Sequence, residues 1–221
     1  MKNFIIALLA VFTFTACDLS KYKLVKEYDF ETVFEKSGGT ETATYSEVIN
    51  YYQQLSEVYP SVSLQAIGET DSGEPLHLAV FSPSEDFDLE ALREDHTIIL
   101  IMNGIHPGES DGIDASMMLF RDLASDSIPI PKNTIIATIP IYNVGGALNR
   151  NSTSRTNQNG PKSYGFRGNA RNYDLNRDFI KADTKNTQTF AEIFHSVKPD
   201  ILIDTHVSNG ADYQYTLTHL F

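Results

Sequence analysis

His106 and Glu109 form an H-x-x-E pair inside Asn103-Gly104-Ile105-His106-Pro107-Gly108-Glu109, a segment whose glycines and proline shape a tight loop. A further histidine, His206, closes the string Asp204-Thr205-His206. Two imidazoles and one carboxylate are a common donor set for a catalytic zinc ion, which keeps its fourth position open for water. His106, Glu109 and His206 are therefore the candidate metal ligands. A bare H-x-x-E carries little weight, and an isolated histidine at a strand end is more often a hydrogen-bonded structural residue. His77, His96 and His195 take that plainer reading, and His219, near the chain end, has no placement.

The elements around these residues give them their position. Residues 97–102, Thr-Ile-Ile-Leu-Ile-Met, are continuously apolar after the threonine, as in a strand covered on both faces, and they run directly into the His106 loop. Residues 134–139 and 201–203 read as further strands of the buried type, the latter leading into His206. Residues 63–68 and 76–81 read as hairpin strands around the turn chemistry of Asp71-Ser72-Gly73-Glu74-Pro75. Val48, Tyr51, Tyr52, Leu55 and Tyr59 mark one face of a helix ended by Pro60, and helical spacing recurs over 113–123 and 185–197. Strands alternating with helices predict an α/β domain with a mixed, largely parallel central sheet and helices on both faces. In such a sheet, ligands gather beyond the carboxyl ends of the strands, where His106, Glu109 and His206 fall.

The totals narrow the function classes. The 221 residues, 41% hydrophobic, suit one domain with a real core, and a net charge of −12 argues against nucleic acid as a partner. The single cysteine, Cys17, excludes a disulfide framework. Residues 1–16 open on Lys2, continue through an apolar run over 4–12 and end in Thr15-Ala16, which reads as a secretory signal peptide. The run is too short to span a bilayer core of roughly 30 Å. Phe14-Thr15-Ala16-Cys17 resembles a bacterial lipobox, which makes Cys17 a lipidated mature N-terminus, a membrane anchor and a sign of export to the bacterial cell envelope; the alternative is an ordinary signal peptide with an incidental cysteine. Residues 17–42, without a clear period, read as tether and lead-in, and 43–221 as the domain.

Three ordered motifs then converge. Asn103 to Glu109 resembles the first zinc motif of the metallocarboxypeptidases related to carboxypeptidases A, B and D. Tyr173-Asp174-Leu175-Asn176-Arg177-Asp178-Phe179 resembles that family's substrate-carboxylate motif, and Phe166-Arg167-Gly168-Asn169-Ala170 the segment of its transition-state arginine. The resemblance implies one zinc ion on His106, Glu109 and His206, and a peptide substrate held by its free C-terminal carboxylate. It assigns that carboxylate to Asn176 and Arg177, which suits a planar guanidinium fork beside a neutral amide donor. It makes Arg167 the stabiliser of the developing oxyanion, with Arg155 as the competing candidate. It makes Asp174 the partner of the second ring nitrogen of His106.

The same family places its general-base glutamate well downstream of the third ligand. After His206 the only acidic residue is Asp212, and the end over 215–221 is apolar, so the domain reads as truncated at its C-terminus. The leading expectation is a zinc metallocarboxypeptidase lacking its general base in this chain. The alternatives are a zinc amidase or deacylase on the same scaffold and a non-catalytic peptide-binding lipoprotein.

Overall fold

The computed structural model describes residues 28–208 and 214–215. The leader over 1–16, the lipidation candidate Cys17 and His219 lie outside the described residues. Among the described residues, no helix is long and apolar enough to cross a membrane.

Helices α1 (Val33–Lys36) and α2 (Tyr45–Val58) both open on capping boxes. The Thr32 and Thr44 side chains accept from the N–H groups of Glu35 and Glu47, whose carboxylates reach back to the cap N–H. Strands β1 (Val62–Glu69) and β2 (Pro75–Phe81) pair antiparallel, and a one-turn helix, α3 (Leu89–Leu92), precedes β3. β3 (Thr97–Met102), α4 (Asp111–Ala124) and β4 (Thr134–Ile139) form a βαβ unit with β3 and β4 parallel. The long connection that follows holds α5 (Val144–Leu148), a short ribbon of β5 (Arg150–Asn151) and β6 (Tyr164–Gly165), and a 3₁₀ turn over Leu175–Arg177. It ends in α6 (Lys185–Val197) and β7 (Ile201–Asp204), which pairs parallel with β3.

The sheet order is β1-β2-β4-β3-β7, a mixed sheet whose parallel part is β4-β3-β7. Period-two alternation sends neighbouring residues of one strand to opposite faces. Ile101 of β3 joins Tyr52 and Leu55 of α2 and Met117 and Phe120 of α4, whereas Ile98, Leu100 and Met102 join Phe190, Ile193 and Val197 of α6. Helices thus cover both faces, as the continuous apolar run of β3 requires.

The structure adds physical detail to two expectations. Residues 201–203 form the expected strand, β7, but among the described residues β3 is its only sheet neighbour and Ile201, Leu202 and Ile203 are all exposed. From residue 28 onward the lead-in is anchored to the domain. Phe30 packs edge-on against Tyr51, Arg121 pairs with Glu35, and buried Thr42 donates to Asp114. These are single anchors on irregular chain, so no periodicity announces them.

Asp114, in the first turn of α4, is 4% exposed, and burial pushes its carboxyl up to about 6 against the opposing hydrogen bond from Thr42. A carboxyl raised above its unfolded value near 3.9 stabilises the fold below that value and loses the contribution as pH climbs through the folded value. Stability should therefore fall between about pH 4 and pH 6. Asp114→Asn, which keeps an acceptor for Thr42, should flatten that fall and stabilise the protein at pH 8 by about 1–2 kcal/mol. Denaturant midpoints of both proteins at pH 5 and pH 8 check this; an unchanged curve in the variant contradicts it.

Candidate metal centre

β3 lies between β4 and β7, and its last residue, Met102, stands level with Asp204 of β7. The loops carrying His106 and His206 consequently leave neighbouring strands at the same end of the sheet, at the crevice where the chain's excursions to either side diverge. Close packing fixes the two exits together. Thr205 donates from its backbone to Met102 O and from its hydroxyl to Asn103 Oδ1 at 3.0 Å, while Asn103 Nδ2 reaches Ser116 and Thr138. Gly112 permits this approach, since a Cβ there would fall 2.1 Å from Thr205 Oγ1. Asn143 ties in the third segment by donating to both Ile105 O and Arg167 O.

The three candidate ligands meet, with one donor atom from each within 4.8 Å of the others. His106 Nδ1 is 3.2 Å from Glu109 Oε1, and His206 Nδ1 is 3.1 Å from Glu109 Oε2. Each imidazole turns its other nitrogen to a carboxylate: His106 Nε2 to Asp174 at 3.1 Å and His206 Nε2 to Asp204 at 2.9 Å. Such partners orient a ligating imidazole and raise its basicity. Burial alone would raise the Glu109 carboxyl, but hydrogen bonds to His106, His206 and the Val207 N–H outweigh it and hold the group well below the usual carboxylate range. The centre thus offers an ionised carboxylate and two oriented ring nitrogens, a set that fits a divalent ion of zinc's kind. Asp204 and Glu109 push the His206 imidazole up to about 10, so a metal arriving there displaces a proton.

The remaining candidates take distinct places. Asp174 caps the 3₁₀ turn by accepting from Asn176 N–H and also accepts from Arg167 Nε, so its structural role and its contact with His106 coexist. Arg167, Asn176 and Arg177 line a cavity of about 280 Å³ with His106, Glu109, His206 and Val207. Arg177 is exposed and makes no ion pair among the described residues. Arg155 lies elsewhere: it donates to Glu109 Oε1 at 2.9 Å and to Gln158 at 2.7 Å, with no place in the lining of that cavity. His77 and His96 are remote, the latter against Leu92 O. Sequence reasoning missed Asp204, Asn103 and the Val207 N–H as supports; the spacing of Asp204 and His206 in one string was the available signal for the first.

No curated protein matches the chain. Solved structures show the same fold: a metallo-carboxypeptidase from Burkholderia cenocepacia, with a TM-score of 0.60 and 18% identity, is matched over 77% of this chain and 43% of that one. A metallo-carboxypeptidase from Pseudomonas aeruginosa, in complex with (2-guanidinoethylmercapto)succinic acid, gives 0.57 and 16% over 76% of this chain and 41% of that one. Bovine thrombin-activatable fibrinolysis inhibitor, in complex with tick carboxypeptidase inhibitor, gives 0.58 and 16% over 76% of this chain and 62% of that one. The chain thus spans less than half of each bacterial relative named here. At these identities the likeness is one of fold alone. The zinc carboxypeptidase sequence family (peptidase M14), however, matches residues 48–204, which hold His106, Glu109, Arg167, Asn176 and Arg177 and stop just before His206, and the chain belongs to that family.

Proposed function

We propose that this chain carries the zinc centre and substrate clamp of a carboxypeptidase that removes residues from the free C-terminus of peptides. The observation that carries this reading is the shared cavity. Asn176 and Arg177, a neutral donor and a cation without an ion pair among the described residues, face the same space as His106, Glu109 and His206. A bound zinc would supply a polarised scissile carbonyl and a water of lowered pKa.

The chain's own residues do the rest. Arg177 presents the planar fork that takes a terminal carboxylate, and Asn176 adds the neutral donor. Arg167 is aimed by its ion pair with Asp174 at 3.0 Å, and its partly exposed guanidinium is the group to receive charge that develops on the carbonyl oxygen. Asp174 in turn keeps His106 Nδ1 facing Glu109. Among the described lining residues Glu109 is the only carboxylate, and it is committed to the metal, so proton abstraction from water is left to a group other than these. The export and anchoring part of the proposal rests on the apolar run over 4–12 and on Cys17.

The test is turnover of one peptide, with its C-terminus free or amidated, by the zinc-loaded full-length protein. Release of the C-terminal residue from the free acid alone is expected. Equal cleavage of both forms would overturn the carboxylate clamp and favour an amidase.

A further inference from the structure

We infer that Arg155 and Gln158 form a clamp that holds the metal-binding loop ready for its ion, with Arg155 as a positioning residue for Glu109. The inference rests on the metal-centre reading above. Glu109 is almost wholly buried, and its two oxygens need donors on every side before they can be aimed at an ion. Arg155, itself 14% exposed, supplies one with its guanidinium at 2.9 Å from Oε1. The same guanidinium donates through Nε to Gln158 Oε1 at 2.7 Å, and Gln158 Nε2 reaches back to Gly108 O at 2.8 Å. The pair therefore grips two consecutive residues of the loop, one by side chain and one by backbone.

The sequence supports this path at two further points. Gly108 is where Arg155 crosses the loop: a Cβ at that position would fall 2.7 Å from Arg155 Cδ and 2.8 Å from Gly165 O, so a side chain there would block the approach. The clamp's own base is fixed by Tyr164, a fully buried residue whose hydroxyl accepts the Arg155 backbone N–H at 3.1 Å. A lysine at 155 could place its charge near Glu109 but would not hold Glu109 and Gln158 in one fixed geometry, because only the guanidinium offers donors in a planar fork.

Outer partners of metal ligands typically set metal affinity by about 10–100-fold. Zinc dissociation constants of the full chain, measured by chelator competition, should weaken by about that factor in Arg155→Ala. Gln158→Ala should weaken binding less, and Arg155→Lys should recover only part of the loss. The absorption bands of the cobalt-substituted protein should shift in Arg155→Ala, since the carboxylate changes its aim; a purely structural role would lower thermal stability and leave the bands in place. Should Arg155→Ala fail to fold, Gln158→Ala and Arg155→Lys carry the same comparison. Unchanged or tighter zinc binding in these variants, with a wild type that binds zinc, overturns the clamp. A wild type that binds no zinc overturns the metal centre itself, and the clamp with it.

Discussion

His106→Ala is expected to purify without stoichiometric zinc, whereas the parent protein and a His77→Ala control should retain it after dialysis against a weak chelator. The size of the effect follows from what the imidazole does. It supplies one of three donors within 4.8 Å of each other, and it also hydrogen-bonds Glu109, so its loss leaves two ligands and a buried carboxylate short of a partner. Affinity should drop by more than the about 10–100-fold expected for an outer partner. His77 is the proper control because it sits on β2, paired opposite Ala66 of β1 and away from the cleft. Metal analysis of the purified proteins reads the result, and full zinc content in His106→Ala would contradict the ligand set.

Arg177→Ala should lose the proposed preference for a free C-terminus. Removing a cation that pairs with a substrate carboxylate typically costs about 2–4 kcal/mol, or roughly 30- to 1000-fold in kcat/KM on the free-acid peptide. The amidated peptide never makes that pair, so its slow turnover should hardly change and the ratio of the two should collapse. Arg177→Lys should fall between, since a point charge replaces the fork. An unchanged ratio in Arg177→Ala would move the clamp to another residue, with Arg167 the next to examine because it lines the same cavity.

How much of this was legible beforehand differed by element. β3 and β4 were readable because a strand flanked on both sides and covered on both faces must be apolar throughout, and α2, α4 and α6 because each turns one apolar stripe inward. β7 has the same apolar composition, but among the described residues it pairs only with β3; position in the sheet order is set by pairing, which a short run of isoleucine and leucine does not encode. α1, α3 and α5 are too short to establish a period. At the centre, His106, Glu109 and His206 could be grouped because two of them share one loop and the third follows a strand. Arg155 could be noticed as a candidate but not placed. Its contact with Glu109 depends on how the β5–β6 ribbon folds back across Gly108, a path fixed by tertiary packing.

The most direct test of the account is anomalous diffraction at the zinc edge from crystals of the zinc-loaded protein. The account predicts one strong peak at about 2.0–2.2 Å from His106 Nδ1, His206 Nδ1 and the Glu109 carboxylate, with Arg177 across the same cavity. A peak on other residues, or none at this cleft in protein that carries stoichiometric zinc, would contradict it.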